Sequence, residues 1–165
     1  MSRPSTYVTV IRTLFGVVLV AGSFVHLYAG LFNRQSYAAF GDTAWPPLDL
    51  LWDEFVMPNI GWLALCMSAF ELAVGVGSVL RAPWNRLAVR AMIGFFAFIT
   101  VLGYAFPASG VVEDFWANRA LSLAMILVVV PWLLKPRPLS VPAAWSALLR
   151  RTSRACATTR IPSPR

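Results

Sequence analysis

The sequence predicts an all-α integral membrane protein: a four-helix bundle with both termini cytoplasmic. Three observations carry this. Residues 13–33 and 91–112 contain no Lys, Arg, Asp or Glu, residues 55–80 contain only Glu71, and residues 120–134 contain none. The links between these apolar stretches alternate in the sign of their charge. Trp45, Trp52, Trp62, Trp84, Trp116 and Trp132 lie at or near the stretch ends, where aromatic anchors meet the membrane–water interface.

A helix needs roughly 20 residues to cross the hydrocarbon. The four spans are therefore expected at about residues 11–32, 58–80, 88–106 and 116–134, the last only by starting near Phe115 and so admitting Arg119. Together they make one domain over residues 1–135, followed by a basic cytoplasmic tail over residues 136–165. Composition agrees. The chain is 58% hydrophobic and 13% charged, where a soluble domain carries about 25% charged residues.

Charge sets the expected orientation. Arg3 and Arg12 precede the first span, and the first link holds Arg34 against Asp42, Asp49, Asp53 and Glu54. The second link carries Arg81, Arg86 and Arg90 with no acid; the third carries Glu113 and Asp114. Lys135, Arg137 and the arginine-rich tail follow span four. The positive-inside rule assigns the basic segments to the cytoplasm. The first apolar stretch runs past His26 to Phe32, longer than a signal-peptide core of about 7–15 residues, so it is expected to remain as a helix.

The net charge of +7 is concentrated in the tail, at Arg150, Arg151, Arg154, Arg160 and Arg165, with no folded basic module around it. Anionic lipid head groups, not nucleic acid, are the expected partner of such a segment. Within the tail, Trp145, Leu148 and Leu149 recur at helical spacing, predicting a short interfacial helix over 141–151. Disorder is expected after Thr152. In the long first link, residues 36–40 are expected to form a short helix lying on the membrane, ended by Trp45-Pro46-Pro47.

Cysteine chemistry contributes little. Cys66 lies in the second span and Cys156 in the tail, so a disulfide between them is not expected, and Cys66 reads as a small packing residue. No C-x-x-C marks a dithiol redox enzyme. One histidine cannot complete a metal site or bis-histidine haem within one chain, so no metal is expected.

The polar residues inside the spans are the candidate site. An ionisable group in hydrocarbon costs about 2.5–3.5 kcal/mol on insertion scales. His26 shares a helix face with Gly22, Ser23, Ala29 and Gly30, and Glu71 shares one with Met67, Ser68, Gly75 and Ser78. Small residues let helices approach, so both side chains are expected to face protein. They could handle protons or polarise a ligand, or simply satisfy neighbouring backbone and hydroxyl groups. Counted from the expected span ends they differ in depth by about 10 Å, which predicts a water or ligand between them. Asn118 and Arg119 open span four. Arg119 snorkels, pairs with Glu113 or Asp114, or lines the outer mouth of a cavity with His26. Arg12 is expected to snorkel at the inner face.

Arg12-x-x-x-Gly16, the Gly22–His26 segment, Glu71-Leu72-x-x-Gly75-x-Gly77 and the following Arg81…Arg86-Leu87 resemble the DoxX-like membrane proteins. The resemblance covers roughly residues 10–134 and agrees with the four-span layout. It implies a bacterial-type inner membrane and a role in a membrane oxidoreductase complex, since the family name comes from a small subunit associated with thiosulfate:quinone oxidoreduction. Glu71 matches the family's second-span acid and His26 its polar residue late in span one. No stretch matches a redox centre, so a quinone would be a bound molecule. The leading expectation is that a quinone-like or other small apolar molecule binds within the bundle, contacting Glu71 and His26, with Asn118 and Arg119 as further candidates and a redox protein as partner. The alternative is a non-catalytic assembly or chaperone subunit. A transporter is weaker, because the spans lack paired Gly/Pro breaks in matching halves.

Overall fold

The computed structural model describes residues 5–133 and 140–158, with side chains through Arg150. It is all-helical over the described residues. α1 (Thr6–Phe32), α2 (Leu48–Val79), α3 (Trp84–Leu102) and α4 (Val111–Leu133) are each long and apolar enough to cross a membrane. By length and composition this is a multi-pass membrane protein. Polarity is arranged inside out, as hydrocarbon demands. Val17, Phe24, Val25 and Leu127 are exposed, whereas Arg12, Glu71, Ser78, Asn118 and Arg119 are buried.

α1 and α2 run antiparallel and pack along most of their length, because glycines remove the side chains between them. A methyl group on Gly16 would meet Ser78 Oγ at 2.8 Å, and one on Gly30 would meet Ala64 Cβ at 2.6 Å. α3 packs on both α2 and α4. Val8, Phe15, Leu19, Val89, Met92, Phe96, Val129 and Trp132 fill the half of the core on the side of the link between α2 and α3. Tyr37, Trp52, Ile60, Ala64 and Leu102 fill the opposite half.

The helix ends differ from expectation in ways the backbone explains. α2 begins at Leu48, ten residues before the expected 58, and passes through Pro58 unbroken. A π turn over Trp52–Val56 directly precedes Pro58. The wider turn relieves the clash that proline makes with the carbonyl four residues back. A second π turn, Phe115–Arg119, lies in the amino-terminal part of α4, which begins at Val111. α3 stops at Leu102 because Gly103 takes φ 90°, a conformation few other residues adopt. The stretch expected to be helical to 106 is thus irregular after residue 102, with Ala105 also at positive φ, 61°.

Between α1 and α2 the chain makes 3-10 turns over Arg34–Thr43, where a surface helix over 36–40 is expected. Tyr37 and Gly41 of this segment are buried, so it forms a roof on the end of the bundle where α1 stops and α2 starts and does not merely rest on the membrane. After α4, α5 covers Val141–Thr158 and is held to α1 by Trp145 Nε1, which donates to Thr13 Oγ1 at 3.1 Å. Disorder is expected after Thr152, but the helix continues through Thr158. Residues 134–139 and 159–165 of the expected tail lie outside the described residues.

Arg12 does not snorkel. It is 1% exposed and donates from Nε to Ser78 O at 2.9 Å and from Nη2 to Leu80 O. Its guanidinium also lies 5.6 Å from the Trp132 ring centroid. Carbonyls left free at the end of α2 supply acceptors a guanidinium can satisfy at once, so inward capping wins over solvation.

Candidate ligand site

His26 and Glu71 meet directly. His26 Nε2 lies 3.6 Å from Glu71 Oε1, which overturns the expectation that a water or ligand must stand between them. The reason lies in the helix register. Gly22 faces Glu71 and Gly30 faces Ala64, so His26 is displaced from Glu71 by about four residues, or ~6 Å. Helical side chains lean toward their own amino end. In an antiparallel pair, His26 and Glu71 therefore lean toward each other and close that gap. Counting depth from span ends missed this because α2 begins well before the apolar stretch does.

Gly22 makes the room. A methyl group there would stand 2.7 Å from Glu71 Oε2. That oxygen is buried and has no hydrogen-bond partner among the described residues. Burying an unpaired polar atom costs about 1–3 kcal/mol, so the fold holds the carboxyl there at a penalty.

The third member comes from the roof. Tyr37 Oη lies 2.6 Å from His26 Nδ1, with the rings stacked 5.8 Å apart at 20°. If His26 presents Nε2–H to the carboxylate, Nδ1 accepts and Tyr37 O–H donates. Burial, and secondarily the charge of Glu71, hold the Tyr37 phenol above its ordinary value of 10.0. Tyr37 is placed by Trp52, whose Nε1 donates to Tyr37 O at 2.9 Å. Sequence reasoning missed Tyr37, since nothing in residues 34–43 announces that the 3-10 turns fold back over α1. Its one signal was an aromatic hydroxyl in a segment expected to lie on the membrane.

His26 and Tyr37 lie at the edge of a cavity of about 480 Å³ between α2, α3 and the roof. Phe40, Trp52, Ile60, Met67, Phe95 and Leu102 are among its apolar walls. The volume falls in the range of small-molecule sites, roughly 300–1,000 Å³, and an apolar pocket with a few convergent polar groups is their usual character. Glu71 sits behind His26 and does not line the cavity.

Asn118 and Arg119 belong elsewhere. Neither lines this cavity, and both are buried, at 0% and 2% exposure. Asn118 Oδ1 accepts from the amides of Tyr104 and Phe106, each at 3.0 Å. Its Nδ2 donates to Phe106 O and to Asp114 Oδ1, each at 2.9 Å. Arg119 Nε pairs with Asp114 Oδ2 at 3.2 Å, and Nη1 donates to Thr100 O and Val101 O, each at 3.0 Å. Nη2 donates to Thr43 O, and the guanidinium lies 5.0 Å from the Trp45 ring centroid. Of the three roles expected for Arg119, pairing with Asp114 is the one found; Glu113 instead accepts from Ser109 N at 2.9 Å. These residues brace the loop after α3 against the roof.

Among the described residues no three His, Cys, Asp or Glu side chains come together as a metal site would require. In comparisons with known proteins, no family model, no curated protein and no solved structure matches this chain.

Proposed function

We propose that this protein is a DoxX-like component of a bacterial-type inner-membrane oxidoreductase complex, with both termini cytoplasmic, and that it binds a quinone-like molecule inside its bundle. The single observation behind the reading is the cavity whose polar edge is His26 and Tyr37, with Glu71 behind them. An oxygen-bearing ring fits that edge: with the proton of the pair on Glu71, His26 Nδ1–H donates to Tyr37 Oη and leaves the Tyr37 O–H to donate to a ring oxygen, while Trp52, Phe40 and Phe95 offer faces for stacking. A bound quinone would supply electron- and proton-carrying capacity that no residue here provides. This chain's own residues orient the ring, exclude water and hold a proton at His26 or Glu71.

The test is purification in mild detergent, followed by extraction and mass spectrometry of retained small molecules, for the natural chain and for His26→Leu. A quinone or similar ring compound retained by the first and lost from the second is the expected result. Recovery of a stoichiometric protein partner with no such molecule supports a non-catalytic assembly subunit instead. Basic α5, pinned to α1 through Trp145 and Thr13, is the surface that favours this second reading.

A further inference from the structure

Building on the cavity as a ligand site, we infer that it fills sideways from the bilayer, between α2 and α3. Its occupant is a long-tailed amphiphile: an oxygen-bearing ring on an isoprenoid or alkyl chain. The other approaches are closed by packing. On the outer, aqueous side, Tyr37 and Trp52 are 8% and 6% exposed. Phe40 lies against both, with ring centroids 6.3 Å and 6.0 Å away. Toward the cytoplasmic half, Phe70, Phe95 and Phe96 form a chain of rings 5.7 Å apart. The seam with α1 is shut where Gly30 meets Ala64.

The remaining side is open. Cys66 and Phe98 line the cavity and are exposed on the bundle's flank. Both lie within apolar spans, so the flank faces hydrocarbon. A soluble small molecule would have to dissolve in lipid to enter, whereas a membrane amphiphile is already there. Polarity fixes its direction. Hydrogen-bonding side chains are found at the His26–Tyr37 edge, so the ring points there and the chain leaves past Cys66 and Phe98. About 480 Å³ holds a substituted ring and the start of a chain, but not a chain reaching through a leaflet of ~15 Å. The rest remains in the membrane.

The experiment uses the full chain carrying Cys156→Ser, reconstituted in lipid vesicles, so that Cys66 is its one thiol. Alkylation of Cys66 by a bilayer-soluble maleimide is timed with a decyl-substituted benzoquinone and with the same ring lacking a chain, while binding of each is measured directly. The decyl compound should slow alkylation about tenfold, and the bare ring should leave it nearly unchanged while still binding. Cys66→Trp, which narrows the opening on the flank, should weaken the decyl compound about tenfold more than it weakens the bare ring. Equal protection by both rings overturns the lateral route, as does fast labelling of Cys66 by a charged, water-confined maleimide. If both rings bind and Cys66 is never protected, the inference fails and the ligand reading stands. If neither ring binds, both fall.

Discussion

Gly22 lies directly beneath the carboxyl of Glu71, so close that a methyl group would stand 2.7 Å from Oε2. That single absent side chain gives an acid room in a seam otherwise closed by helix contact. Gly22→Ala must move either Glu71 or α1, and overpacking of this kind costs about 1–3 kcal/mol. Thermal unfolding in detergent should show the loss in Gly22→Ala. Glu71→Ala in the same chain should restore most of it, because the two sites are in contact and their effects do not add.

Arg119 is a buried cation held by Asp114, three backbone carbonyls and the face of Trp45. Asp114 is 27% exposed, so the main loss on removing the cation is the carbonyls left without a donor, each worth about 1–3 kcal/mol. Arg119→Leu should therefore lower the unfolding temperature steeply, and Arg119→Lys should rescue only part, since an ammonium cannot address several carbonyls in one plane. On the proposed ligand reading, affinity for the decyl-substituted benzoquinone in the protein that remains folded should be unchanged, because Arg119 does not line the cavity.

Arg12 joins α1 to the end of α2 through Ser78 O and Leu80 O. Arg12→Ala leaves those carbonyls without their donor and should destabilise the protein by roughly 1–3 kcal/mol. Proteolysis in the link between α2 and α3 should quicken, because that link starts at the carbonyl Arg12 holds. Cleavage at natural rates would show that this cap contributes nothing.

Tyr37→Phe deletes the hydroxyl against His26 Nδ1 and should cost about 0.5–1.5 kcal/mol at neutral pH. It should also alter the alkaline limb of stability. The phenol is held above 10.0 in the folded protein, so between the unfolded and folded values the native state binds more protons. Stability from this group is full below pH 10, then lost as pH rises through the folded value. The natural chain should lose more stability than Tyr37→Phe over that alkaline window, read from denaturation at fixed temperature.

The apolar stretches and the small residues around His26 and Glu71 made the four helices, and the inward facing of both polar groups, legible in the sequence. Their direct meeting was not legible. It depends on which glycine of α1 lies against which residue of α2, a register that hydropathy does not encode. Tyr37 was hidden for a related reason: a segment of 3-10 turns has no strong period, so its buried face goes unannounced. Asn118 and Arg119 were singled out as candidate ligand contacts, and neither lines the cavity. Their neighbours, backbone carbonyls and amides of the loop after α3, leave no pattern in side-chain order, so a bracing role could not be told from a ligand contact.

The two π turns, at Trp52–Val56 and Phe115–Arg119, have a consequence for how such a molecule can vary. One additional residue in a helix changes the azimuth of everything before it by about 100°. The outer turns of the second and fourth crossings are thereby aimed independently of the portions buried deeper. The aim of Trp52 and Arg119 is thereby set apart from the interdigitation around Met92 and Val129, which makes the roofed end and the membrane-embedded shaft separately adjustable modules of one short chain.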